Sequence, residues 1–285
     1  MTAHYRPIDA VSLIASPALS TAYKAYLALK RLCATALGTA LVLAACAVAA
    51  APPAPPSGAP LLQAFSSAPP GRPPAPWRAV GLPDKTIPLT DMQITRVPGG
   101  SDNTGILQLR ADKSYGTLSH ALAQLQPTTA TRLGWRWRLD QAVAGANLRQ
   151  KAGDDAALKV CAMFDMPLER LGLVERSLMR LARARSGELL PAATLCYVWD
   201  PALALGTLLP NAYTARVRYL VLNSAESALG QWHTHQRNLH ADFLQAFGTE
   251  SATVPPLLAI VVGADADNTG HSSLAFVGDL VLVEQ

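Results

Sequence analysis

Asp265-Ala266-Asp267-Asn268-Thr269-Gly270 places oxygen-bearing side chains at the first, third and fifth positions of a turn and glycine at the sixth. This is the opening half of a calcium loop, where hard oxygen ligands surround the ion and the glycine permits the sharp bend. The twelfth position is Phe276, so an EF-hand is excluded. A calcium site on Asp265, Asp267 and Thr269 therefore needs carboxylates from elsewhere. Without them the segment is an Asx-rich turn, with Asn268 and Gly270 in left-handed conformations. The letters Asp102-Asn103-Thr104-Gly105 behind Gly99-Gly100 favour a turn in both places.

Paired carboxylates are the second chemistry on offer. Two of Asp154, Asp155, Asp165, Asp200 and Asp242, held at opposed positions, would serve as acid and base in glycoside cleavage. Adjacent Asp154 and Asp155 in a strand face opposite ways, so one at most joins such a site. The alternative is loop carboxylates that bind backbone amides or arginine, and no catalytic residue is assigned. Trp199 and Trp232 beside Asp200, Arg237, Asn238 and Asp242 suggest a ligand site, because aromatic faces meet pyranose rings while polar groups bind hydroxyls. Arg237 and Asp242 equally make an ion pair or a carboxylate clamp. His233, His235 and His240 do not share one helical face, and HExxH, CxxC, GxSxG, P-loop and dinucleotide patterns are absent. Zinc, serine-hydrolase and nucleotide chemistry are disfavoured.

The elements that must position these groups show mostly a period of two. Thr131–Leu139 puts Leu133, Trp135, Trp137 and Leu139 on one face and three arginines on the other, which predicts a half-buried strand. Further strands are expected at 106–110, 157–164, 195–199, 216–222, 257–262 and 274–283, with weaker ones at 87–97 and 116–122. About nine strands separated by turns predict an all-β antiparallel sandwich rather than βαβ units. Helical spacing interrupts this twice. At 167–185 Leu171, Val174, Leu178 and Leu181 form a stripe, and Arg170, Arg176, Arg180 and Arg183 give a solvated face rather than a membrane-seeking one. At 231–247 Gln236, Leu239, Phe243 and Phe247 line up, and Gly248 ends the run.

The N-terminus reads as an address. Lys30-Arg31, an apolar run from Leu32 to Val48 and then small residues have the order of a secretory signal over residues 1–50. Leu43-Ala44-Ala45-Cys46 resembles a lipobox with Cys46 as the lipidated residue, and a peptidase site near Ala47-Val48-Ala49 fits as well. A proline-rich tether, 51–60, leads into one domain, 61–285. The expected location is the periplasm or a lipid-anchored position in a bacterial envelope, with membrane contact only through the N-terminal signal or anchor. Of 24 basic and 20 acidic residues, processing at Cys46 leaves 20 and 19, which removes the electrostatic case for nucleic acid. Cys161 and Cys196 then remain, either bridged across neighbouring strands, worth roughly 3–4 kcal/mol by loop entropy, or buried as two free thiols. Charged residues make up 15% of the chain, well below the ~25% of an average soluble domain, which excludes a highly charged disordered protein.

Several of these motifs, in order, resemble a bacterial domain of unknown function, DUF3047. They are Gly153-Asp154-Asp155-Ala156-Ala157 before a strand ending Phe164-Asp165, then Tyr197-Val198-Trp199-Asp200, Trp232 with Arg237-Asn238 and Asp242, Phe247-Gly248, and Asp265–Gly270. The likeness spans about 61–285 and departs in the arginine-rich stretch after Asp165. It implies no established activity. An early Phe/Trp strand and the last strand Phe276–Leu282 also look like the ends of jelly-roll, galactose-binding-like carbohydrate-binding domains, which would make first and last strands neighbours. The functional expectation is a non-catalytic binding protein for a glycan or small polar ligand, with a glycosidase-like hydrolase or a purely structural envelope protein as alternatives.

Overall fold

The computed structural model describes residues 60–82, 86–97, 104–186 and 190–284. The signal, Cys46 and nearly all of the tether lie outside the described residues. Pro56–Gln285 forms one compact unit, and among its described residues thirteen strands build two sheets. The larger has the order β1 (Arg78–Val80), β4 (Tyr115–Leu125), β11 (Leu257–Asp265), β6 (Lys159–Phe164), β7 (Ala193–Trp199), β9 (Val217–Asn223) and β8 (Leu208–Pro210). The smaller has β10 (His233–Asn238), β5 (Arg132–Gln141), β12 (Ser272–Val277), β3 (Gly105–Asp112) and β2 (Asp91–Arg96), with β13 (Val281–Val283) also pairing β5. Helices α1 (Leu173–Ser186) and α2 (Leu239–Phe247) complete a mainly β sandwich.

Alternation explains the smaller sheet. Leu133, Trp135, Trp137 and Leu139 of β5 are buried while Arg136 is exposed. Their rings join a core between the sheets with Tyr197, Phe164, Phe243 and Phe247. The larger sheet obeys a different rule. All seven residues of β7 are buried, because a second apolar cluster of Val198, Tyr219, Val221, Val261 and Leu148 covers its other face. Strands buried on both sides lose their alternation. Cys161 and Cys196, directly opposite in the β6/β7 ladder, form a disulfide within this second cluster. The two thiols are therefore bridged rather than free.

Four expectations are corrected. The sheets are not wholly antiparallel, since β7 and β9 run parallel; residues 200–216 loop back and re-enter beside β7 in the same direction. First and last strands do not pair, because β1 belongs to the larger sheet and β13 to the smaller. The first described segment and the last strands instead meet through Asp279, whose carboxylate accepts the Phe65 and Ser66 amides and the Ser66 hydroxyl. The span 231–247 is not one helix, since β10 occupies its first part and α2 begins at Leu239, capped by the Asn238 side chain accepting from Ala241. Gly248 does close α2, in a right-handed conformation, through its amide to the Leu244 carbonyl. Finally, the run 274–283 is split at Gly278-Asp279-Leu280 into β12 and β13.

Candidate functional site

One end of the larger sheet gathers charge. Lys159 opens β6 opposite Gly263 of β11, and two residues on Asp265 accepts its ammonium at 2.6 Å. A Cβ at Gly263 would lie 2.9 Å from both Gly116 O and the Thr117 side chain and 3.1 Å from Lys159 Cε, so glycine makes room for this crossing. Asp265 also accepts the Ala156 amide, which ties β11 to the segment carrying Asp154 and Asp155. Asp155 reaches into the turn: its oxygens accept the amides of Asn268 (3.1 Å) and Thr269 (2.7 Å). Asp154 turns the other way, toward Asn211 and the Tyr219 hydroxyl. The adjacent pair thus diverges as expected, although it lies in a bend before β6 rather than in a strand.

One oxygen each of Asp155, Asp265 and Asp267 lies within 4.8 Å of the others. Oxygens that share one calcium ion at 2.3–2.6 Å can stand no farther apart than ~5 Å, so the spacing fits a hard cation. Asp267 Oδ1 and Thr269 Oγ1 are buried with no hydrogen-bond partner. Among the described residues, Lys159 pairs with Asp265, and the carboxylates of Asp154, Asp155 and Asp267 stand in the same neighbourhood without an ion pair of their own. Burial pushes the Asp267 carboxyl up to about 6, helped by the charges of Asp265 and Asp155. Burial likewise pushes Asp154 up to about 6, with Asp265 contributing. For Lys159 burial opposes the charge, but contact with Asp265 overrides it and holds the ammonium protonated. The turn expected from sequence is present, with Gly270 at φ +70°. Asn268 is not left-handed, and its amide group instead bonds Asp155 and the Asp154 carbonyl.

The other expected site residues do not converge. Trp199 is 2% exposed and packs edge-on against His233 and near Trp137, so it is a core ring and not a stacking platform. Asp200 folds back on its own loop, accepting the Ala202 and Leu203 amides. Arg237 spends its fork on Asp242 at 2.9 and 2.6 Å, and Tyr197 donates to the same carboxylate. That makes an ion pair rather than a free clamp. Asn238 is a helix cap. Asp165 contacts Gln124 and stands apart from the acidic group. His233 and His235 share one face of β10, and His235 lies in a half-buried setting that lowers it to about 4, chiefly by burial and then by His233 and Arg237. Asn223 Oδ1 accepts from Trp137 Nε1, which is a donor only, so His235 Nε2 donates to that same oxygen.

Trp232 is half-buried and, unlike Trp199, lies outside the core. The Arg136 guanidinium covers its ring at 4.8 Å. Beside it an open groove of about 370 Å³ runs over the smaller sheet, lined by Arg136, Thr234, Gln236, Gly134, Ser66 and Thr104, among others. Gly278, Asp279 and Val281, at the break between β12 and β13, line it as well, and Gly278 stays tied to β5 by donating to the Arg136 carbonyl. A Cβ on Gly278 would lie 2.8–2.9 Å from the Arg136 side chain. Sequence reasoning missed this groove, having read Arg136 as one of three arginines on a solvated strand face. The usable signal was glycine in two strand-like runs, at Gly134 and Gly278.

No curated protein matches the chain. Among solved structures it is similar to endo-1,4-beta-glucanase CelB2, with 12% identity over 73% of this chain and 99% of that one and a TM-score of 0.36. It is also similar to the catalytic domain of Humicola grisea Cel12A, determined with a thio cellotetraose (9%, 70% and 88%, 0.35), and to Trichoderma harzianum Endoglucanase 3 of family GH12 (9%, 75% and 100%, 0.35). Similarity at this level does not extend to function. The family described as "Protein of unknown function (DUF3047)" matches residues 75–281, nearly all of the ordered motifs read above, and the chain belongs to it.

Proposed function

We propose that this is an exported, non-catalytic binding protein that holds a glycan or small polar ligand in the groove over the smaller sheet. The observation that carries the reading is the contrast between two sets of polar groups. The groove offers Arg136, Thr234 and Gln236 in an open setting, and the Arg136 guanidinium that lines it also packs over the Trp232 ring. The carboxylates that glycoside cleavage would need are buried or engaged: Asp155 by backbone amides, Asp200 by its own loop, Asp242 by Arg237 and Tyr197. A general acid must reach the substrate's leaving oxygen; these three do not line the groove, and the carboxylate that does, Asp279, is held by the Phe65 and Ser66 amides and the Ser66 hydroxyl.

The acidic group acts in this reading as a structural clamp. A calcium ion held by Asp155, Asp267 and Thr269, beside Asp265, fastens the 265–270 turn to the 154–156 segment. Export supports it, since extracytoplasmic calcium reaches concentrations that fill sites with dissociation constants of about 10⁻⁴–10⁻³ M. The test is a glycan array probed with and without calcium, followed by a hydrolysis assay on every sugar retained. Binding without product release supports the proposal. Turnover that Asp154→Asn abolishes would replace it with the hydrolase reading.

A further inference from the structure

Helix α1 is turned inside out. Leu173, Val174, Leu178 and Leu181 are 78, 76, 48 and 39% exposed, so most of the apolar stripe of an amphipathic helix points away from the protein. The polar side faces inward and is consumed there. Arg176 donates to the carbonyls of Leu168, Glu169 and Leu171, Arg183 to that of Leu190, and Glu175 pairs with buried Arg216 at 2.6 Å. Met179, on the same inward side, packs against the core. These contacts hold the helix in one rotation, because turning it round would break the Arg176 and Arg183 bonds to the neighbouring carbonyls and leave buried Arg216 with Glu250 alone. Arg170 and Arg180 remain exposed, Arg180 4.0 Å from the exposed Glu169 carboxylate, a contact loose enough to give way to a headgroup.

We propose that α1 lies in the interfacial plane of the membrane to which the N-terminal segment directs this chain, its leucine and valine side chains among the acyl chains and Arg170 and Arg180 at anionic headgroups. The inference rests on the export reading but not on the ligand groove. Three observations select a bilayer as the occupant. An apolar stripe fringed by arginine is the pattern of an interfacial helix. The apolar run 32–48 precedes the folded unit by only the proline-rich 51–60, and an extended linker of that length spans about 3.1 Å per residue, or roughly 30 Å, so an anchored domain stays within reach of the surface. The stripe itself exposes roughly 400 Å² of side chain, about half of the ~800 Å² per partner of a stable protein interface, which disfavours a second copy.

The experiment is hydrogen–deuterium exchange on the full chain, with its N-terminal segment in place, in buffer and on vesicles of phosphatidylethanolamine and phosphatidylglycerol. Peptides over 173–186 are expected to exchange at least tenfold more slowly on vesicles. Val174→Asp with Leu178→Asp, both at exposed positions, should abolish that protection while the chain still co-sediments with vesicles. Equal exchange in α1 with the chain bound overturns the proposal. So does slow exchange without vesicles: if it grows with protein concentration the cover is a second copy, and if it does not, the chain covers the helix itself.

Discussion

Asp267→Asn should change the sign of its effect with calcium. In chelator the native state holds the Asp267 carboxyl at about 6, against an ordinary 3.8, because it is buried near Asp265 and Asp155. A group whose folded pKa is raised costs stability once it ionises: the cost is absent below pH ~4, grows as pH rises toward 6 and is complete above it. Two units correspond to about 2.7 kcal/mol, and because Asp267 is only partly buried we discount this to about 1–2 kcal/mol. Asparagine removes the cost, so at pH 7.5 in chelator the variant melts higher than wild type. In calcium the order reverses. Wild type gains about 2.7 kcal/mol at a hundredfold excess over the dissociation constant, roughly 5–10 °C for a domain of this size, and the variant, which keeps an oxygen but loses a ligand charge, gains less. The assay is a thermal melt of both proteins in 10 mM calcium and in chelator. Crossing melting orders bear out the cation site. Wild type unmoved by calcium, with the variant simply more stable throughout, would refute it and leave Asp265–Gly270 as a turn held by Asp155.

Three further outcomes are expected. Metal-free wild type should gain stability as pH falls from 7 to about 5, because Asp154 and Asp267 both protonate near 6; a denaturant midpoint that only falls over that range contradicts the charge excess. Cys161→Ser with Cys196→Ser should cost roughly 3–4 kcal/mol, the loop-entropy value for a 35-residue separation, measured by urea unfolding, and reductant should have little effect on the double variant. Lys159→Met should cost about 3–5 kcal/mol by leaving buried Asp265 uncompensated, and adding Asp265→Asn should recover much of that loss, whereas additive losses would mean that the pair is not coupled.

Much of the smaller sheet was legible because one of its faces is solvated: alternation along Leu133–Leu139 survives only where arginines can face water. The larger sheet was harder, since β7 is buried on both faces and presents no period. Trp199 looked exposed because polar Asp200 follows it, but that aspartate closes a local turn and says nothing of the ring. In α1 the periodicity gave the helix and could not give its rotation, because periodicity cannot tell arginines facing solvent from arginines bonding carbonyls of a neighbouring segment. The helical stripe through Gln236, Leu239 and Phe243 extended past the true start of α2, where β10, a polar edge strand, has no apolar alternation of its own. Asp265, Asp267 and Thr269 were readable as a loop; Asp155, more than a hundred residues away in sequence, entered only through folding.

The central claim is that ligand is held over the smaller sheet, and isothermal titration of an array-selected oligosaccharide against four proteins tests it most directly. Trp232→Ala and Arg136→Gln should each weaken binding by about tenfold or more, in line with the ~1–2 kcal/mol of an aromatic contact or a charged hydrogen bond. Trp199→Phe, altered inside the core, should bind like wild type once its folding is confirmed by its melt. Undiminished affinity in both the Arg136 and Trp232 variants, or loss confined to Trp199→Phe, would contradict the account.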